Sequence, residues 1–197
     1  MALPRTTPAK SEQTRRRIVR AATVAYRERG IGGVGVRDVM KRAGLTQGGF
    51  YFHFPDKDAL FVEASGEAAE SLAVAFVDIV ERAPPGRKLA ALIDAYLSAE
   101  HRDHPGSGCM VSALGGEVAR GDRKLRIEFA KATTMVLNRI SPYFPGASSA
   151  ERFQNAGVLM ASMAGVLMVS RVLPDTAQSD ALLAGARKRF CAMFLDA

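Results

Sequence analysis

Apolar side chains recur every three or four positions along this chain, and no stretch alternates apolar and polar residues for long. That spacing is the helical period, so the pattern predicts helices throughout and an all-α fold. Clusters of Gly and Pro cut it into segments. The first puts Ile18, Ala22, Ala25 and Tyr26 on one face and Arg15, Arg16, Arg20 and Arg27 on the polar side. Ser11 is placed to cap its start and Gly30 to end it. Short helices follow over about 36–42 and 47–53, and Pro55-Asp56 then breaks the chain. Asp56 suits the cap of a fourth, long helix with Leu60, Ala64, Ala68, Leu72, Phe76 and Ile79 on one stripe, ending before Pro84-Pro85-Gly86.

Five more helices are predicted over roughly 87–103, 110–119, 122–144, 148–172 and 178–195, about nine in all. The 148–172 helix is apolar almost all round in its middle, which calls for cover on several sides. Its small residues Gly157, Ala161, Ala164 and Gly165 permit close helix approach. The division expected is an N-terminal arm and three-helix head over 1–57 and a helical body over 58–197, with the fourth helix as a mechanical link.

Charge sharpens this division. Residues 1–57 hold 12 Lys/Arg against 4 Asp/Glu, and residues 58–197 hold 15 against 16, so the net +7 resides entirely in the head. A local basic excess points to a polyanion, nucleic acid first and an anionic membrane second. Basic charge on the whole chain would have suggested a nonspecific architectural DNA binder. Residues 1–17, with Arg5, Lys10, Arg15, Arg16 and Arg17, read either as a tail or as an arm able to enter a minor groove.

The longest apolar run, Ala156 to Val169, spans 14 residues and is shorter than the ~20 of a membrane span. The basic N-terminus is followed by no apolar signal core, so a cytoplasmic protein without membrane association is expected. Two cysteines, Cys109 and Cys191, are too few for a disulfide framework and read as free thiols. His101, Asp103, His104 and Cys109 cluster in sequence across a Gly/Pro loop, but match no closed zinc pattern. No metal or other cofactor is expected. No nucleophile-elbow, phosphate-loop or zincin motif supports an enzyme.

Residues 36–54, VRDVMKRAGLTQGGFYFHF, read as a helix-turn-helix. Val36, Val39, Met40, Ala43 and Leu45 supply its inner face, and Gly44 supplies a turn where positive φ is cheap only for glycine. Thr46 is placed to cap the next helix and to donate to a phosphate. Gly48 and Gly49 weaken that helix by about 1 kcal/mol each relative to Ala, which makes sense where the backbone must approach another surface. Gln47, Tyr51 and His53 carry hydrogen-bonding tips, while Phe50 and Phe54 anchor the helix.

Over about residues 13–63 these segments resemble the tetracycline-repressor (TetR) family signature: IVRAATVAYRERG, then VRDVMKRAGLT, GGFYFHF and PDKDALF. The resemblance implies a DNA-binding transcriptional regulator, most often a homodimeric repressor released from a palindromic operator in double-stranded DNA by a small molecule. It implies base reading by Arg37, a groove-facing turn of Gln47, Gly48 and Gly49, and backbone contacts from Thr46, Tyr51, His53 and Lys57. Gly35-Val36 stands where the family often has Thr or Ser, and Met40 where Ala is common. Two body helices, with Leu182, Leu183, Ala186, Phe190, Met193 and Phe194 on the last, resemble the family's four-helix dimer interface.

The stretch Gly108 to Ala119, GCMVSALGGEVA, resembles an LmrA/YxaF-like branch, whose body encloses a mostly apolar ligand cavity. Tyr96, Cys109, Met110, Leu114, Phe129, Met135, Met160 and Met163 are the lining expected on that resemblance, each equally suited to plain core filling.

Overall fold

The structure, a computed structural model, describes residues 8–195. Its helices are α1 (Pro8–Arg29), α2 (Val36–Arg42), α3 (Phe50–His53), α4 (Lys57–Arg82), α5 (Lys88–Tyr96), α6 (Ala99–Asp103), α7 (Met110–Ala119), α8 (Arg123–Ile140), α9 (Ser149–Val172) and α10 (Thr176–Leu195). Short 3-10 turns cover Gln47–Gly49, Pro105–Ser107 and Ser141–Tyr143. No strand occurs among the described residues, so the all-α reading holds.

Helix boundaries follow local chemistry. Gly30 ends α1 at φ +76°, and Gly44 makes the turn after α2 at φ +67°. The Asp56 carboxylate accepts from the Ala59 N–H at 2.7 Å and caps α4. Two expectations need correction. The first helix begins at Pro8, a turn before Ser11, so residues 8–17 are helix rather than arm; Arg5 lies outside the described residues. The segment expected over 87–103 breaks in two. The Ser98 hydroxyl donates to Ala95 O and accepts from the His101 N–H, which ends one helix and caps the next. With this split the described residues hold ten α-helical segments, in keeping with the nine or so expected.

One buried apolar cluster runs from Ile18 in α1 to Ala186 in α10. The spine is α4, whose buried stripe runs from Leu60 to Val80. It packs on α1 at its start and on α5 and α8 further along. Each fully buried Leu, Ile or Phe contributes about 1.5–3 kcal/mol, and head and body share these residues.

Helix α9 buries Ala156, Leu159, Met160, Met163, Ala164 and Leu167 against α7, α8 and α10. Its other side leaves Val158, Met168, Val169 and Val172 exposed by 58%, 50%, 47% and 76%. The cover expected on several sides is therefore present on one side within this chain. By length and composition α9 is also long and apolar enough to cross a membrane. Here one side of it packs into the core, and its Arg171 is bonded to the chain's own carbonyls.

Candidate nucleic-acid interface and body cavity

Helices α2 and α3 enclose the turn at Gly44, where the Leu45 N–H returns to Met40 O at 2.8 Å. Gln47–Gly49 is 3-10 rather than α-helical, because two adjacent glycines favour no regular helix strongly. Thr46 occupies the cap position, but its hydroxyl makes no capping bond. Phe50 and Phe54 are fully buried with ring centroids 5.7 Å apart. They fix the helix by one side.

On the other side Gln47, Gly48, Tyr51 and Phe52 face solvent, with Arg37 and Thr46 exposed nearby in the motif. A Cβ built on Gly48 would meet nothing within 4 Å, and one on Gly49 only Met40 Cε at 3.7 Å. Packing within the chain therefore requires neither glycine. Phe52, 75% exposed, was not singled out in the sequence. The run of three aromatics carried the signal, since a single helical turn cannot bury all three.

The electrostatics are more selective than the count of arginines. Arg42 pairs with Glu28 at 2.6 Å, raising the guanidinium pKa and lowering that of the carboxyl. Arg15 pairs with Glu63, Arg16 with Glu12 and Arg20 with Glu67. Arg17 donates to Ala43 O at 2.7 Å. Arg37 and Lys41 are exposed and make no ion pair among the described residues. Lys57 is half-buried, donates to Ile31 O and lies over the Tyr26 ring. His53 gives its carbonyl to Arg15, and burial, aided by that guanidinium, holds its imidazole below the usual histidine value.

Besides α4 and the Pro105–Ser107 turn, α7 joins α1 and the loop after it. At its far end the Glu117 carboxylate accepts from the N–H groups of Ile31 and Gly32, at 2.8 and 2.6 Å. Just before its start Arg27 donates to Gly108 O at 2.7 Å. His101 Nε2 accepts from the Cys109 N–H at 2.8 Å, so the ring proton sits on Nδ1 and is donated to Tyr96 O at 2.7 Å. Burial lowers the His101 pKa, and protonating Nε2 would break the bond to Cys109. Arg171 donates to the carbonyls of Arg102 and His101 and to Ser112 Oγ.

Between α4, α7, α8 and α9 lies an almost wholly apolar cavity of about 90 Å³. Leu72, Val111, Thr133, Val136, Leu137, Gly157 and Ala161 line it, with Cys109, Met110 and Met160. Only these last three were among the eight residues expected to line a cavity here. Leu114 lines a second, smaller cavity that shares Met110. The other four line neither cavity. Tyr96 is buried next to Cys109, Phe129 stacks on Phe61 and Met163 is core. Met135 borders an open depression on the outer side of α8.

A buried-backed helix-turn-helix with an exposed polar turn, on an all-helical body, defines a DNA-binding regulator. Residues 18–64 match the model of the bacterial regulatory proteins of the tetR family. The chain is 36% identical over 55 residues to the transcriptional regulator YdgC of Bacillus subtilis, a match spanning only 28% of each protein. It is 28% identical over 179 residues to the regulator Rv0196 of Mycobacterium tuberculosis, covering 84% of this chain and 88% of that one. The crystal structure of reduced NemR from E. coli superposes with a TM-score of 0.73 at 21% identity, over 90% of this chain and 94% of that one. That likeness shows the fold. These matches make the chain similar to the TetR family of transcriptional regulators, most directly over residues 18–64.

Proposed function

We propose that the protein is a homodimeric, cytoplasmic repressor that binds a palindromic operator and is released from it by a small, largely apolar ligand. In this reading residues 1–57 form the DNA-reading head and 58–197 the body that holds the ligand and the dimer partner. One observation carries the DNA part. Gly48 has no steric reason within its own chain to be glycine, and it lies on the exposed side of a helix fixed by Phe50 and Phe54. A surface approached closely by another molecule accounts for both facts. Arg37 and Gln47 suit guanine and adenine edges, while Thr46, Tyr51, His53 and Lys57 suit phosphates. Lys57 would have to share its ammonium between Ile31 O and the phosphate.

The exposed apolar side of α9 supports the dimer, because a second copy would supply the cover its composition calls for. The cavity between α4, α7, α8 and α9 supports the ligand. Occupancy would release DNA if it favoured a spacing of the two heads that misses successive major grooves.

The test is selection of bound DNA from a random library, followed by affinity measurements on the selected site and on random DNA at several salt concentrations. A bounded palindrome is expected. Arg37→Ala should cost about 1–3 kcal/mol on the operator and relax selectivity at one base pair per half-site. Lys57→Ala should weaken both DNAs alike and lower the salt slope by about 1 per subunit. The reverse pattern, or no preferred sequence, overturns the placement of the helix in the groove.

A further inference from the structure

Three buried side-chain oxygens lack a hydrogen-bond partner among the described residues: Tyr26 Oη, Ser65 Oγ and Tyr96 Oη. Two of them, Tyr26 and Ser65, line the same small cavity of about 10 Å³ between α1, α4 and α7. A buried hydroxyl without a partner forfeits the bond it made in water, and native proteins rarely leave one so. Two around a single cavity mark a place built to hold a polar atom.

The cavity has a third polar wall. Arg27 is half-buried and donates only to neutral acceptors, the carbonyls of Thr23 and Gly108. Among the described residues no carboxylate lies within ion-pair distance of it. A guanidinium has five N–H donors, and these two bonds use two of them. The cavity therefore presents a cation with spare donors and two hydroxyls able to donate, and among the described residues no carboxylate pairs directly with Arg27, although Glu28 and Asp58 act on Arg27 and Tyr26 from further off.

Beside it lies the apolar cavity of about 90 Å³, and the side chain of Met110 forms part of both walls. Methionine is unbranched and readily changes rotamer. A Met110 rotamer that vacated this shared wall would join the two spaces into one, apolar at the α8–α9 end and rich in donors at the α1 end.

We infer that the natural ligand is a small apolar carboxylic acid, its carboxylate held by Arg27, Tyr26 and Ser65 and its hydrocarbon part lying in the α4–α8–α9 cavity after displacing Met110. This rests on the ligand-release reading above and goes beyond it, because Tyr26 and Arg27 belong to α1, the first helix of the DNA-reading head. A carboxylate there would bridge α1, α4 and α7 directly, and occupancy would reset the head without a relay through the rest of the body.

The full-length chain is titrated by calorimetry and thermal shift with benzoate and with short straight and branched aliphatic acids. The methyl esters of these acids and toluene serve as probes that lack the charge. The acids are expected to bind at least tenfold more tightly than their esters. Ser65→Ala and Tyr26→Phe should each weaken acid binding at least fivefold, leave toluene unchanged and raise the ligand-free melting temperature, because each removes an unpaired buried hydroxyl without opening the core. Acids, rather than esters, should release DNA. If acids bind no better than esters and the two variants leave every probe unchanged, the hydroxyls hold an ordered water only, and the carboxylate assignment is wrong while the cavity remains a ligand site. If neither the acids nor toluene bind, the ligand-release reading fails and takes this inference with it.

Discussion

Replacing Gly48 with alanine should move stability and DNA affinity in opposite directions. The added methyl meets nothing within 4 Å inside the chain, and the backbone at Gly48 is outside the left-handed region. Alanine therefore fits the folded state without strain. Its main effect is to restrict the unfolded chain, which stabilises a protein by about 0.4–1 kcal/mol at a compatible site. For a domain of this length that is a rise of about 1–4 °C in melting temperature. On DNA the same methyl projects into the space between backbone and groove. A displacement that costs about 1.4 kcal/mol across the two subunits is already a tenfold loss, and that is the minimum expected. Calorimetric melting and fluorescence anisotropy on the selected operator measure the two effects independently. A variant that melts higher and binds as before would show that Gly48 does not face DNA. One that melts lower would show that the backbone there is under a constraint not visible in its φ.

Three other perturbations test separate parts of the molecule. Burial holds His101 below the ordinary histidine pKa of 6.5, so the unfolded chain takes up the proton first as pH falls. Stability is then full above that value and declines below it, and His101→Gln should flatten the denaturant-midpoint profile between neutral and mildly acidic pH without abolishing the slope, since His53 is shifted the same way. Val172→Glu, on the exposed apolar side of α9, should convert a dimer into a folded monomer in sedimentation, with helical circular dichroism retained and operator binding lost; an unchanged dimer would remove that side from the interface. Glu117→Ala should leave the Ile31 and Gly32 amides without their acceptor and destabilise the chain by about 1–3 kcal/mol, read from denaturant melts, whereas an effect near zero would mean that water replaces the carboxylate.

Helix order and most ends were legible in the sequence because they depend on nearby residues. Gly30, Gly44, Asp56 and the Pro84-Pro85-Gly86 break act within one turn of themselves. The interruption at Ser98 was missed because the residues around it continue the apolar period, and only the hydroxyl's local bonds end the helix. Periodicity shows which face of a helix is buried, but not where packed faces fail to fill space. The apolar cavity takes its walls from four helices at Leu72, Val111, Thr133, Leu137 and Gly157, none of which stands out from its own segment. Exposure at the Gln47–Gly49 turn was readable from two glycines that weaken a helix. The pairing of head arginines with Glu63 and Glu67 was not, since those carboxylates lie more than forty residues further along the chain.

The two-ended grip of α7 on α1 and the following loop limits how freely this regulator can be rebuilt from parts. Glu117 and Arg27 fasten the head through backbone groups of both partners, so the joint is written in main-chain geometry as much as in side-chain identity. Gly106 packs so closely on Val24 and Glu28 that even a methyl would come within 2.8 Å of them. A head transplanted onto another body would meet a seam cut for different neighbours. If Arg37 and Gln47 read bases as proposed, new operator specificities are better sought by changing them in place than by exchanging whole heads.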